Sequence, residues 1–118
     1  MRIKTQILSD VAILTPTGTL SEGMETDALH EAINALFLRG NQKLIVDLGE
    51  AVVVGNRPLG VLFRAWADYA KRDDRVVFCR VGKIERRIIR MDRPFEVYET
   101  VKEALWAFGL DLTQNGPT

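Results

Sequence analysis

The stretch that decides the fold runs from Lys43 to Gly60 and has the sequence KLIVDLGEAVVVGNRPLG. Its first half contains three successive apolar residues, a pattern typical of a strand that is buried on both faces. A second apolar run follows and ends at Gly55, a residue type that adopts backbone angles closed to others. Asn56 is a favoured helix N-cap, and Pro58 fits a first helical turn because its missing N–H is not needed there. The stretch therefore predicts a buried strand, a short second strand, a tight loop and a helix that begins within a residue or two of Asn56.

The rest of the chain alternates strands and helices around this stretch. Alternating apolar residues predict an N-terminal hairpin of half-exposed strands that turns at Ser9 and Asp10. Helical spacing predicts helices over about residues 26–39, 57–72, 83–91 and 100–108, and apolar runs predict further strands over 75–81 and 95–98. The inner face of the second helix is predicted to contain Leu59, Leu62, Phe63, Trp66 and Ala70. The fold class is therefore α/β, a single domain over residues 1–110 with a mixed sheet and about four packed helices, followed by a flexible tail at 111–118.

Composition and charge exclude several classes of function. The 16 basic and 16 acidic residues give a net charge of zero, so no overall field attracts nucleic acid or an anionic membrane. The apolar runs are far shorter than the roughly 20 residues that cross a bilayer, and the N-terminus lacks the apolar segment of a signal peptide. The expectation is a cytoplasmic protein without direct nucleic-acid contact or membrane insertion. The single cysteine, Cys79, excludes an internal disulfide and every cysteine-pair metal motif, and the sequence indicates no metal, cofactor or catalytic set.

Several short motifs of the central stretch resemble the STAS domain family, which includes the bacterial anti-sigma factor antagonists. They are the Asp47-Leu48 pair, the apolar run 52–54 and the helix start Leu59-Gly60-x-Leu62. In that family the loop commonly has the sequence Asp-Ser-x-Gly-Leu-Gly, and a kinase that is also the anti-sigma factor phosphorylates the serine. Aligned on Leu59 and Gly60, the family's aspartate, serine and loop glycine fall on Gly55, Asn56 and Pro58. The resemblance implies a STAS-like fold with a degenerate loop, because an amide has no hydroxyl to accept a phosphoryl group.

The loop and helix start Gly55, Asn56, Arg57, Pro58 and Gly60 form the first candidate site. One interpretation is an ordinary connection from strand to helix with an asparagine cap. The other is a partner-docking surface that includes the outer side of the second helix. In the family, a phosphate at this point adds about two negative charges at a helix N-terminus. With Asn56 in that place and Arg57 beside it, the loop is expected to be locally positive and locked in a state that resembles the unphosphorylated form.

A basic group further along the chain is the second candidate. It comprises Lys83, Arg86, Arg87, Arg90 and Arg93, whose spacing places several members on one helical face. One interpretation is a solvated helix face, and the other is a contact patch for an acidic protein surface or a phosphate group. The remaining notable side chains are assigned structural or surface roles: His30 on the first helix, Cys79 in a core strand, and Trp106 as an exposed residue of the last helix.

The residues thus indicate a non-enzymatic interaction domain, and the resemblance implies a role in bacterial signalling by partner switching. The implied partner is an anti-sigma factor kinase or another regulatory protein. Two alternatives remain open at this level: a structural or regulatory subunit of a transporter (of the phospholipid ABC type) or of a sensory complex, and a module that binds a small ligand. The edge of the N-terminal hairpin, or an exposed apolar patch, also offers a surface for a homodimer.

Overall fold

A computed structural model of the protein describes residues 2–21, 23–82 and 96–110. Within these ranges the elements are β1 (Arg2–Leu8), β2 (Val11–Leu20), α1 (Met24–Leu38), β3 (Lys43–Asp47), β4 (Ala51–Val53), α2 (Asn56–Lys71), β5 (Arg75–Cys79), β6 (Glu96–Tyr98) and α3 (Val101–Ala107). The order confirms the α/β prediction. Three helices are described, so the predicted number of about four is not confirmed, because the helix predicted over 83–91 lies outside the described residues. The predicted tail at 111–118 lies outside them as well.

The strands form one mixed sheet in the order β1-β2-β3-β5-β6. β1 is antiparallel to β2 and closes the predicted hairpin with the pair Leu8 and Val11, while all other pairings are parallel. The first half of β2 pairs with β3, and its last three residues pair with β4, which therefore lies in line with β3 along the same edge of β2. The carboxyl ends of β3 and β4 consequently lead to the turn and the loop of the central stretch.

Helices cover both faces of the sheet. α1 and α2 pack on one face around the larger core cluster, and α3 packs on the other face against a smaller cluster that includes Val11, Ile13 and Ile45. The hairpin strands were predicted to be half exposed, and for β2 this is wrong, because all six residues from Val11 to Pro16 are buried. The reason is that β2 lies between β1 and β3 and is covered from above and below.

The inner face of α2 is rotated relative to the prediction. Its buried residues are Pro58, Leu59, Leu62, Ala65 and Tyr69, whereas Phe63 and Trp66 are only partly buried and Ala70 is exposed. Tyr69 is fully buried because its ring packs 5.2 Å from the ring of Phe37 and its hydroxyl donates a 2.8 Å hydrogen bond to Asn41 Oδ1. A polar residue type with a satisfied hydroxyl thus replaces the predicted alanine on the core side.

All three helices end with the same pair of backbone hydrogen bonds. In α1, Gly40 N–H donates to Phe37 O and Asn41 N–H donates to Leu36 O, the pattern of a Schellman motif. The helix predicted over about 26–39 thus ends at Leu38, one residue earlier, and Gly40 has the positive φ of 86° that the motif requires. No helix within the described ranges is long and apolar enough to span a bilayer.

Candidate partner-docking site

The candidate loop connects β4 to α2 at one end of the sheet. Val54 N–H donates a 2.8 Å hydrogen bond to Leu20 O and so continues the pairing of β4 with β2 up to the loop. The chain then turns at Gly55, whose φ of 84° lies in the region that favours glycine. Because the turn is made at Gly55, that residue is the N-cap and Asn56 is the first helical residue. The prediction of Asn56 as N-cap is therefore wrong by one position, and Gly55 offers no side chain to cap the helix.

The five predicted loop residues divide into exposed and buried ones. The exposed ones are Gly55, Asn56, Arg57 and Gly60. Pro58 belongs to the first turn of α2 and is buried. Asn56 and Gly60 are four residues apart and therefore lie on the same helical face. A Cβ placed on Gly60 would meet no atom within 4 Å, so the packing of the protein does not require glycine at this position. The outer face of the first turns of α2 is thus open and carries little side-chain bulk.

The sequence predicts that Arg57 makes the loop locally positive. In the structure its charge is instead paired with a carboxylate. Its guanidinium forms an ion pair with Asp27 of α1, and Arg57 Nη1 donates a 3.2 Å hydrogen bond to Gly23 O. These contacts join the N-termini of α1 and α2. The positive charge is matched by a carboxylate 30 positions earlier in the chain, a pairing that the local sequence does not reveal.

Three exposed apolar side chains flank this corner. Met24, Val52 and Val54 are 83%, 58% and 49% exposed, whereas Val53 between the valines packs against the core. This alternation is typical of a strand. It exposes two of the three valines in the apolar run 52–54 to solvent. The sequence analysis did not predict that the surface around Asn56 is apolar. The run 52–54 is only three residues long, and this shortness was the available signal that it is not a fully buried strand.

The turn before β4 is held by an ion pair between Asp47 and Arg80. Arg80 Nε and Nη2 donate 2.8 Å hydrogen bonds to the two oxygens of Asp47, whose side chain is only 5% exposed, and Gly49 N–H donates a 3.0 Å bond to Asp47 Oδ1. Hydrogen bonding to Asp47 raises the pKa of the Arg80 guanidinium above its ordinary value. A Cβ on Gly49 would lie 2.4 Å from Arg80 Nε and Cζ. Glycine at position 49 therefore allows the Arg80 side chain to lie against the turn.

The other candidate residues lie apart from the loop. The basic group of Lys83, Arg86, Arg87, Arg90 and Arg93 lies outside the described residues. Cys79 is fully buried, and burial raises the pKa of its thiol to about 12, which confirms its assignment as a core residue. Trp106 is exposed, as predicted, and His30, which was assigned a structural or surface role, is exposed as well. In the part of the chain that the structure describes, no three His, Cys, Asp or Glu residues are grouped to hold a metal ion.

A groove between α1 and α2 is the place where a small ligand would meet both helices. Its lining includes His30, Phe37, Arg64 and Tyr69, and its cavity volume is about 10 Å³. A single water molecule already needs about 10–15 Å³. The groove therefore has no room for a ligand in this conformation.

Neither a protein-family model nor a curated protein sequence matches this chain. Solved structures match it over most of their length. The chain is similar to a putative anti-sigma factor antagonist from Thermotoga maritima, with a TM-score of 0.82 and 18% identity over 92% of this chain and 95% of the other. It is also similar to an anti-sigma factor antagonist from Mycobacterium paratuberculosis, with a TM-score of 0.73 and 26% identity over 90% of this chain and 92% of the other.

A third similarity involves a protein that has been solved in two chemical forms. Unphosphorylated SpoIIAA, an anti-sigma factor antagonist, matches with a TM-score of 0.75 and 9% identity over 98% of this chain and 100% of its own. The phosphorylated form of the Bacillus protein matches with a TM-score of 0.76 and 11% identity, over 91% of this chain and 99% of the other. The two TM-scores are nearly equal, so the fold of this chain is equally similar to both forms.

Proposed function

We propose that the chain is a STAS-like domain, as its sequence predicts, and that it serves as a non-enzymatic protein-interaction domain in bacterial signalling. The fold that it shares with solved anti-sigma factor antagonists supports this proposal. It acts as an anti-sigma factor antagonist does, by docking a regulatory protein on the loop and the outer face of α2. The partner proposed from the resemblance is an anti-sigma factor kinase or another regulatory protein. The domain spans residues 1–110, and its place of action is the cytoplasm.

The observation that carries this proposal is the position of Asn56. It is exposed at the first position of α2, where the aligned family motif has the phosphorylated serine, and its amide has no hydroxyl. The docking surface is thus offered in a form that a kinase cannot switch off at this residue. We infer that the protein is constitutively in the state that resembles the unphosphorylated antagonist.

Electrostatics support the same inference. A phosphate would place about two negative charges at the N-terminus of α2, where the helix dipole and the uncapped N–H groups respond to them. In this chain the first turn of α2 contains no acidic residue, and the charge of Arg57 is matched by Asp27. A partner therefore meets an amide, a glycine face and apolar side chains, and its affinity should depend only weakly on salt concentration.

The proposal is tested by affinity capture from a lysate of the native cell. Wild-type protein is compared with Asn56→Asp, which places one negative charge where the family has its phosphate. Asn34→Asp is the matched control, because it adds the same charge at an exposed asparagine away from the loop. Asn34 lies on α1, two turns beyond Asp27, the residue that contacts the start of α2. Loss of a kinase-type anti-sigma factor with Asn56→Asp, but not with Asn34→Asp, is expected. Equal capture of such a partner by all three proteins would show that the loop is not the docking site.

Phosphorylation gives a second, independent readout. The captured kinase and ATP are added to wild-type protein and to Asn56→Ser, and intact mass is measured. One phosphate on the serine variant and none on wild type is the expected result. A phosphate on wild-type protein at or next to the loop would refute the constitutive state.

Gly60 allows binding to be separated from folding. Because nothing blocks a Cβ at this exposed helical position, Gly60→Ala should raise the free energy of unfolding by about 0.5–1 kcal/mol. The same methyl group lies on the face that it shares with Asn56 and should weaken docking. A variant that is more stable and also binds as well as wild type would place the docking surface elsewhere.

A structural or regulatory subunit of a phospholipid ABC transporter or of a sensory complex is the second candidate. The absence of a hydroxyl at position 56 favours it, because such a subunit needs no phosphorylation. Capture of membrane-transport or sensory subunits in a stable, stoichiometric complex would support this function over partner switching. The third candidate is a ligand-binding module. The groove between α1 and α2 has a volume of only about 10 Å³, whereas an open cleft of about 360 Å³ lies beside Gln42, Asp74 and Phe108, and a ligand copurified with the protein would support this function.

A further inference from the structure

The outer edge of β1 is a second surface with a definite chemistry. β1 is the terminal strand of the sheet, and within the described residues it pairs only with β2. In a hairpin with a two-residue turn, the closing pair, Leu8 and Val11, exchanges hydrogen bonds, and bonded pairs then alternate along the strands. The even-numbered residues of β1 therefore bond to β2. Ile3, Thr5 and Ile7 direct their N–H and C=O groups toward the open edge.

We propose that this edge binds a second copy of the same chain through antiparallel β1–β1 pairing centred on Thr5. In that register Thr5 faces Thr5 of the second copy, and Ile3 faces Ile7 at both ends. All three residues with outward backbone groups then form hydrogen-bonded pairs, which gives six interchain hydrogen bonds. The neighbouring two-fold registers leave some of these groups unpaired, so the centred register satisfies the edge best.

The side chains of β1 select the same register. The strand has the sequence RIKTQIL, with two cations and no acidic residue. Centring on Thr5 places Lys4 opposite Gln6 and Arg2 opposite Leu8, so no like charges face each other. A shift toward the N-terminus that pairs Ile3 with Thr5 would place Lys4 directly opposite Lys4, which is destabilising. Lysine on an edge strand commonly prevents aggregation, and in this strand it also excludes the competing register.

Packing above the edge is compatible with a second copy. Ile7 is 59% exposed, and in the proposed pair it gains Ile3 of the second copy as its cross-strand neighbour. α1 packs on β1 and β2, and its flank toward α2 contains His30, Asn34 and Phe37. Helical periodicity places Ala28, Ala32 and Ala35 on the opposite flank, above the β1 edge. These small side chains limit the bulk of the middle of α1 above the edge.

Charge variants at Gln6 test both the contact and its register. Gln6 is exposed, so neither Gln6→Glu nor Gln6→Lys should unfold the chain, and circular dichroism checks this. The dimer dissociation constant is measured by sedimentation equilibrium. Each dimer contains two Lys4–Gln6 contacts, so Gln6→Glu should tighten the dimer by about 2- to 30-fold, and Gln6→Lys should weaken it by a similar factor.

Two outcomes would overturn the proposal. One is a wild-type protein that remains monomeric at every concentration up to its solubility limit. The other is a dissociation constant that shifts in the same direction for both variants, as expected if Gln6 faced Gln6, or that shifts for neither, as expected if Gln6 lay outside the contact. The measurement involves no partner protein, so it stands or falls independently of the function proposed for the loop.

A backbone variant completes the test. Thr5→Pro removes the central outward N–H, which proline on an exposed edge tolerates within its own sheet. It should therefore abolish the dimer while the fold is kept. Thr5→Val keeps the N–H and a β-branched side chain and should leave the dimer intact. Dimerisation of the proline variant with wild-type affinity would exclude β1 pairing.

Discussion

The sharpest prediction concerns the turn between β3 and β4, where a single added methyl group should break the Asp47–Arg80 ion pair. In Gly49→Ala the new Cβ would lie 2.4 Å from Arg80 Nε and Cζ and 2.9 Å from Arg80 Cβ, whereas ordinary contacts begin near 3.4 Å. The guanidinium must move by about 1 Å or more, which lengthens both 2.8 Å hydrogen bonds to Asp47 beyond the bonding range. The substitution therefore acts by breaking an ion pair rather than by straining Gly49 itself.

The magnitude follows from the burial of the two partners. Removing one partner of a fully buried ion pair costs about 3–5 kcal/mol, whereas an exposed pair contributes about 0–1 kcal/mol. Asp47 is 5% exposed but Arg80 is 40% exposed, so water screens one end of the pair. The intermediate expectation is a loss of about 2 kcal/mol, which lowers the midpoint of urea unfolding by about 1 M for a slope of about 2 kcal/mol per M.

A double-mutant cycle distinguishes this cause from a general intolerance of alanine. Arg80→Gly removes the side chain that the new methyl group would strike, and glycine also accepts the φ of 53° at that position. In that background Gly49→Ala should cost less than about 0.5 kcal/mol, so the coupling energy should approach 1.5 kcal/mol. An equal loss in both backgrounds, or none in either, would refute the account of the Asp47–Arg80 pair.

Three further predictions concern ionisable groups. Hydrogen bonding to Arg75 lowers the pKa of Glu96 below its ordinary 4.5. The stabilisation of the fold by ionised Glu96 is therefore complete above pH 4.5 and is lost as pH falls through the lowered pKa. Glu96→Gln should remove this acid-dependent part of the stability from thermal melts measured between pH 7 and 2. Burial raises the pKa of Tyr69 from 10 to about 12, so stability should fall as pH rises across that interval, and Tyr69→Phe should lessen the fall while costing about 1 kcal/mol at pH 7 through the hydrogen bond to Asn41. The thiol of Cys79, with a pKa near 12, should react with a disulfide reagent at pH 8 only as fast as the protein opens, and reaction faster than unfolding would place the thiol at the surface.

Local chemistry allowed much of the fold to be predicted. The buried strand at β3, the start of α2 and the capping box of the last helix all depend on residues close together in the chain. The sequence Thr100-x-x-Glu103 has the spacing of a capping box. Thr100 Oγ1 accepts a 3.1 Å hydrogen bond from Glu103 N–H, and the Glu103 carboxylate accepts a bond from Glu99 N–H. The period of the apolar pattern was also sufficient to identify α1 and its buried stripe.

The candidate site was predictable only in part, because its decisive contacts are distant in sequence. Arg57 and Asp27 are 30 residues apart, and Arg80 and Asp47 are 33 apart, so no local pattern indicates either pair. The burial of β2 on both faces likewise depends on helices that pack from different parts of the chain. Sequence spacing therefore placed the loop before α2 but did not indicate that the charge of Arg57 is paired with Asp27.

The two ion pairs together explain how an uncharged loop can still be a definite surface. Asp47 and Arg80 fix the turn before β4, and Arg57 fixes the start of α2 against α1 through Asp27 and Gly23 O. The segment between these points is short, so its exposed valines and Asn56 are held from both ends. Both pairs match their own charges, and the exposed carboxylate of Glu50, 3.6 Å from Arg80 Nη2, is a further charge in this segment. For the docking that we propose, shape and apolar contact should then contribute most of the affinity, and Asn56→Asp would add a charge among the exposed apolar side chains.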